Sequence, residues 1–410
     1  MSAKKIITKF ASSVKPTYAR FPICLSHGSG SYVYDIEDRK YLDLAGGIAV
    51  SSVGHAHPDL VRTVSEQAGK LMHCSNLYYI EQQGVLAERL CGYFGSDGGG
   101  RVFMSNSGAE ANEGLFKFAR AFGGAGRHEI ITATGSFHGR TMGGISATGQ
   151  DKIKKGFSPL LEGFKHVPFN DLDAMENALT PQTAAIMIEG IQGEGGIVPA
   201  TPEYLLGLRR LCDEKNILLM IDAVQCGHFR TGRFQSYQRI LENEESHELF
   251  RPDAVSMAKS LGGGFPMGAF WVNEKHGDIL GPGTHGSTFG GSPLASSVGN
   301  TILDIIENEN LESNARVQGD RLMKGLLEIA KRHPDVVEDI RGMGLMCGVL
   351  LKDSIDASDA VTPSIRVVQK LHELGVLTVP SGENVVRFLP PLNVKSEEID
   401  QGLELFEMAL

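Results

Sequence analysis

Ile217-Leu218-Leu219-Met220-Ile221-Asp222-Ala223-Val224-Gln225 runs without a break from apolar residues into a carboxylate. A half-buried strand alternates polar and apolar residues, so an unbroken run of this kind suits a strand covered on both faces, as in a parallel sheet. Arg101 to Met104, Ala184 to Ile188 and Ala254 to Met257 are short runs of the same type. Helical stretches lie between them: Leu115, Phe118, Ala119 and Phe122 recur at helical spacing, and Thr201-Pro202-Glu203 supplies an N-cap, a first-turn proline and a first-turn acid. The alternation of strand and helix over residues 61–295 predicts a large α/β domain around a mainly parallel sheet.

Outside that span the pattern changes. Tyr32 to Asp35 and Tyr41 to Leu44 flank the charged turn Glu37-Asp38-Arg39-Lys40, which predicts an antiparallel hairpin within residues 1–60. Residues 296–410 open on a helix from about Ile302 and continue through segments such as Gly344 to Leu351 and Val376 to Val379. Both chain ends are therefore expected to build one smaller α+β domain.

The 410 residues are 41% hydrophobic and 21% charged, enough to bury a large core. A formal net charge of -10 disfavours a nucleic-acid or anionic-membrane partner, which would need a basic face, and leaves small molecules as the expected ligands. Cys24, Cys74, Cys91, Cys212, Cys226 and Cys347 form no Cys-x-x-Cys pair, so neither a disulfide framework nor a thiolate metal site is indicated. The first twenty residues carry Lys4, Lys5, Lys9, Lys15 and Arg20 without an acid, superficially like a transit peptide, and they lack the apolar h-region of a secretory signal. No apolar run is long enough to span a bilayer, and the cytoplasm is the default location.

In a doubly wound sheet, ligands sit beyond the carboxyl ends of the strands, and four motifs follow such ends. Ser105-Asn106-Ser107-Gly108-Ala109-Glu110-Ala111-Asn112 joins a strand to a helix, and its small residues expose backbone N–H groups to a phosphate. A tight turn with a serine N-cap explains the motif equally well. Asp222 ends an apolar strand and needs a partner there; it is either a helix cap or the companion of a protonated pyridine ring. Lys259 follows a buried strand and precedes Gly262-Gly263-Gly264, where desolvation would leave its amine neutral and able to form a Schiff base, the alternative being a buried ion pair. His285-Gly286-Ser287-Thr288-Phe289-Gly290-Gly291 offers hydroxyls and backbone donors, as a linker or a phosphate ligand. His55 and His57 read as a helix start rather than a metal pair, and no Gly-x-Gly-x-x-Gly follows a strand, which disfavours a nicotinamide dehydrogenase.

Together these segments resemble the class III aminotransferases of the fold-type-I pyridoxal-phosphate (PLP) enzymes, and within them the acetylornithine group. The match covers Asn76-Leu77-Tyr78-Tyr79, Asn106 to Asn112, Ser136-Phe137-His138-Gly139-Arg140-Thr141, Glu189-Gly190-Ile191-Gln192-Gly193-Glu194-Gly195-Gly196 and the Asp222, Lys259 and His285 motifs, in order. The resemblance implies the PLP-transferase fold type I and pyridoxal 5′-phosphate as cofactor. It implies that Ser107, Gly108 and Ala109 hold the phosphate, with Thr288 reaching it from the neighbouring subunit of a homodimer and Ser287 beside it on the substrate side. Phe137 and Val224 would face the two sides of the ring, Asp222 its nitrogen and Gln225 its phenolic oxygen, with Lys259 as Schiff-base partner and proton shuttle.

The same resemblance implies transfer of the terminal amino group of N-acetylornithine to 2-oxoglutarate, giving glutamate, a step of arginine biosynthesis. Ornithine, succinylornithine or other ω-amino acids are the alternative donors. Arg140 would grip the carboxylate far from the reacting amine and Arg387 the α-carboxylate of glutamate, with Glu194 masking Arg387 when no carboxylate is present. A surface position for Arg140 or a structural ion pair for Arg387 are the plainer readings. Ile48 stands where ornithine enzymes carry a tyrosine, which favours the acylated substrate. Ala223 replaces the family's usual glutamate and Phe229 a glycine, so the loop after Gln225 is expected to follow a different path or to pack a ring at the site's edge.

Overall fold

The computed structural model describes residues 2–95, 99–245, 247, 250–353 and 361–410. Seven strands make the central sheet, in the spatial order Arg101–Ser105, Gly268–Val272, Ala254–Met257, Leu218–Asp222, Thr183–Glu189, Glu129–Ala133, Phe164–Val167. Neighbours pair in parallel except Gly268–Val272, which runs antiparallel to both strands beside it. Every residue of Thr183–Glu189, Leu218–Asp222 and Ala254–Met257 is buried, which is why those runs show no alternation. The antiparallel strand escapes the sequence reading because local composition does not record strand direction.

Capping sets the intervening helices. Ser107 Oγ accepts from the Glu110 N–H at 3.2 Å and starts Gly108–Gly123, whose Leu115, Phe118 and Ala119 are buried. Thr201 Oγ1 accepts from the Tyr204 N–H at 3.2 Å and starts Pro202–Lys215, as its sequence predicts. His57 accepts from the Asp59 N–H and caps Pro58–Lys70, the role expected of it. The helix expected from Ile302 begins earlier, at Pro293: Ser292 caps it, and it runs to Asn308 before the left-handed Asn310 turns the chain into Leu311–Arg332.

Both chain ends meet in one small sheet of Leu25–Ser29, Tyr32–Asp35, Lys40–Asp43 and Val376–Leu377. The expected hairpin is its middle, with Tyr32 opposite Leu42, and Val376 pairs in parallel with Leu42. A second sheet, Val337–Met343, Met346–Leu351, Val385–Phe388 and Val379–Ser381, is antiparallel throughout. The helix Ala3–Ser13 buries none of its residues. Among the described residues no helix is long and apolar enough to cross a membrane.

Candidate active site

Because Arg101–Ser105, Thr183–Glu189, Leu218–Asp222 and Ala254–Met257 point the same way, their carboxyl ends share one edge of the sheet. A cavity of about 380 Å³ opens there, lined by Asn106 to Ala109, Phe137 to Arg140, Glu194, Asp222, Val224, Gln225 and Lys259, among others. Asp222 is 3% exposed. Its Oδ2 accepts from Asn112 Nδ2 and pairs with His138 Nδ1, both at 2.8 Å, while Oδ1 accepts from the Val224 N–H at 3.0 Å. Burial alone would lower the pKa of His138, but the hydrogen bond and charge of Asp222 outweigh it and raise it. Beside them, burial pushes the Glu189 carboxyl up to about 7, although it accepts from the Phe137 and Gly193 N–H groups.

Lys259 reaches this cavity from a single 3-10 turn with φ +49°, a left-handed conformation that costs a side-chain-bearing residue energy. Removal from water lowers the pKa of its amine, with Arg387 adding to the fall and Glu194 and Asp222 opposing it. A lysine held this way supplies an unprotonated nucleophile far more readily than a free one.

At the opposite end the first turn of Gly108–Gly123 faces the cavity, and its leading N–H groups have no carbonyl of their own helix to meet. Gly108 is fixed by packing: a Cβ there would lie 2.7 Å from Val224 Cγ1. Gly268 is fixed likewise, since its Cβ would fall 2.3 Å from the Ser107 carbonyl oxygen.

The two arginines differ. Arg140 is exposed at the cavity mouth with its guanidinium 5.5 Å from the centre of the Phe137 ring. Arg387 is 1% exposed and lies one layer behind, outside the lining. Its Nη1 donates to Glu194 Oε1 at 2.6 Å, Gln225 Oε1 at 3.0 Å and the Gly193 carbonyl at 3.0 Å; Nη2 donates to the Pro380 carbonyl at 3.2 Å. Burial would raise the pKa of Glu194, but the Arg387 charge outweighs it and holds the carboxyl below its ordinary value.

Of the residues singled out in the sequence, Ser287 and Thr288 are not part of this cavity's lining. Ser287 Oγ accepts from Asn106 Nδ2 at 3.1 Å, and Thr288 is exposed next to Phe289. Ile48 is 39% exposed and also outside the lining, where Val50 takes its place. Phe229 does not pack at the site's edge: its ring is buried against Tyr93 and Phe234, on a backbone left in the glycine-like conformation at φ +67°. Ala223 is buried and does not line the cavity. Asn112, His138 and Glu189 were within motifs quoted from the sequence, yet only their convergence on Asp222 and Phe137 gives them positions in the site.

The model of the family described as aminotransferase class-III matches residues 13–410. The chain belongs to the class III aminotransferases. It is 44% identical over 409 residues to an acetylornithine aminotransferase of Caldanaerobacter subterraneus subsp. tengcongensis, covering 99% of each chain. It is 45% identical to one of Gloeobacter violaceus, covering 97% of this chain and 96% of that one. Among solved structures, the ornithine aminotransferase of Toxoplasma gondii superimposes with a TM-score of 0.91 at 32% identity, covering 100% and 95% of the two chains. The N-acetylornithine aminotransferase of Stenotrophomonas maltophilia gives 0.79 at 34%, covering 98% of each.

As a class III aminotransferase the protein is a transaminase that works with pyridoxal 5′-phosphate. The cavity fits that group. It offers free helix N–H groups for an anion at one end, a buried carboxylate held ready by three donors for a cationic ring nitrogen at the other, and a lysine of lowered pKa for an aldehyde.

Proposed function

We propose that this aminotransferase moves the terminal amino group of N-acetylornithine to 2-oxoglutarate, giving N-acetylglutamate 5-semialdehyde and glutamate. The observation that carries the reading is the closed Glu194–Arg387 pair behind the cavity. An ω-amine donor brings no carboxylate next to its reacting carbon and needs Arg387 masked; glutamate brings one and needs it bare. The names of the relatives from Caldanaerobacter and Gloeobacter favour the acetylated donor.

When bound, the cofactor supplies an aldehyde for the amine and an electron-withdrawing ring that weakens the bond to the departing proton. Asp222, fixed by Asn112, His138 and the Val224 N–H, would pair with the ring nitrogen and favour its protonated form. Ser107, Gly108 and Ala109 would hold the phosphate, Phe137 and Val224 would wall the ring, and Gln225 would bond its phenolic oxygen. Lys259 would be the amine that takes up the cofactor's aldehyde and the group that moves a proton at its Nζ, a task suited to an amine of lowered pKa. Arg140 at the mouth takes the carboxylate remote from the reacting amine.

The phosphate end needs a second subunit. Thr288 and Phe289 are exposed in the single chain, as are Leu77, Tyr78 and Tyr79 of a segment tied to the same loop through Asn76 Nδ2 and the Ser287 and Gly290 carbonyls. Apolar side chains exposed in this number mark an interface, and we read it as that of a homodimer in which Thr288 enters the partner's site.

The test compares single-turnover half-reactions with N-acetylornithine, ornithine, succinylornithine and 4-aminobutyrate, followed by cofactor absorbance. N-Acetylornithine is expected to have the highest kcat/KM. The likeness to the Toxoplasma ornithine enzyme favours ornithine as the second reading, and a faster half-reaction with ornithine would replace the first. Arg387→Ala should raise KM for glutamate at least tenfold, the loss of one buried charge-assisted contact, and leave that for the ω-amine donor within a few-fold. Equal effects on both substrates would remove the masking role.

A further inference from the structure

Glu194 lies in the hairpin turn between the short strands Ile191–Gln192 and Val198–Pro199. That turn is pressed from both sides: a Cβ on Gly193 would meet Gln225 Oε1 at 2.4 Å, and one on Gly195 the Gly135 carbonyl at 2.6 Å. A serine from a distant strand brackets it. Ser381, 1% exposed, donates from Oγ to the Gly193 carbonyl at 2.8 Å and accepts at the same Oγ from the Gly196 N–H at 3.0 Å. Both bonds grip backbone, one on each side of Glu194.

Ser381 ends the Val379–Ser381 strand, which pairs antiparallel with Val385–Phe388, the strand that carries Arg387. One sheet thus holds both the arginine and the clamp on the acid that masks it. With the backbone held, Glu194 can leave Arg387 only by turning its side chain. Once it has turned, Arg387 still has the Gly193 and Pro380 carbonyls and Gln225 Oε1 as acceptors. These fix the guanidinium in direction but leave its charge unmatched, which is the state a substrate carboxylate needs.

We propose that Ser381 is a positioning residue for specificity: its hydroxyl holds the Glu194 turn in register with Arg387 and so sets how far the mask favours the closed state. This rests on the masking role given to Glu194 above. Without the hydroxyl the Gly196 N–H loses its acceptor, the turn loosens, and Glu194 competes less well for Arg387. Carboxylate ligands should then bind more easily, and the ω-amine half-reaction should suffer because a bare arginine captures the donor's own carboxylate in the wrong orientation.

The experiment uses glutarate as a non-reacting dicarboxylate probe, titrated calorimetrically into the cofactor-loaded enzyme, alongside both half-reactions in single turnover. In Ser381→Ala, and in the near-isosteric Ser381→Cys, glutarate affinity should rise and the ratio of kcat/KM for glutamate over the ω-amine donor should increase on the order of tenfold, the worth of one hydrogen bond. In a Glu194→Gln background the serine variants should change the ratio no further. Equal slowing of both half-reactions, unchanged glutarate affinity, or the same shift without Glu194 would each overturn the proposal. Arg387→Ala separates the two levels: if it discriminates between the substrates while the serine variants do not, masking stands and the clamp falls.

Discussion

Gly108 has no room for a side chain, because the Val224 methyls occupy the space where one would go. Gly108→Ala is therefore expected to displace either Val224 or the first turn of the helix, and to weaken cofactor binding roughly tenfold, which equilibrium dialysis with visible absorbance would measure. Unchanged affinity would remove this turn from the phosphate site. The Glu194–Arg387 pair gives a pH prediction. Since the folded pKa of Glu194 is depressed, the pair's contribution is present above the ordinary glutamate value and is lost as pH falls through the depressed one. In a Glu189→Gln variant, which removes the neighbouring carboxyl held near 7, the glutamate-to-donor preference should then stay flat from roughly pH 6 to 9, and a change in that window tracking a single carboxylate would contradict the assignment. At this scale much was legible: Lys259 and Asp222 announce themselves by interrupting apolar runs. Ser381 did not, because its partner Gly193 lies 188 positions away and a serine before a glycine reads locally as a turn.

The strand Ala254–Met257, which delivers Lys259, is anchored at its start by Asp253. That carboxylate, 2% exposed, accepts from Arg209 Nη1 at 2.9 Å and the Leu219 N–H at 2.8 Å and pairs with His276 Nε2 at 3.1 Å, joining two strands and a helix. Burial would raise its pKa, but these contacts prevail and lower it far below the usual range. Its stabilisation is thus complete above the unfolded value, near pH 4, and fades as pH drops through the lower folded value. Asp253→Ala should cost about 1–3 kcal/mol, since it takes the acceptor from the buried Leu219 N–H while Arg209 keeps Asp213, and thermal unfolding followed by circular dichroism would record the lower Tm. A Tm within a degree or two of wild type would show the network to be dispensable. Apolar runs and caps made the parallel strands and the Thr201 helix readable. The reversal of Gly268–Val272 and the pairing of Val376–Leu377 with Lys40–Asp43 were not, because direction and partner belong to the fold rather than to any window of sequence.

For the whole molecule, the dimer we propose carries its own test. If Thr288 completes the partner's site, Tm should rise with protein concentration, and sedimentation should give a two-chain species near 88 kDa, about twice the 44.2 kDa chain. A concentration-independent Tm with a one-chain species would refute it. The small sheet has a different consequence, for synthesis. Arg39 donates to the His372 carbonyl 333 positions later, and Lys40–Asp43 waits for Val376–Leu377. On the ribosome the first hairpin therefore emerges with one edge unpaired and keeps it so while the catalytic sheet is made. The nascent chain cannot finish this sheet until Val376–Leu377 has been made, so chaperone binding should concentrate on that waiting edge, and closing it should be a late event in acquiring activity.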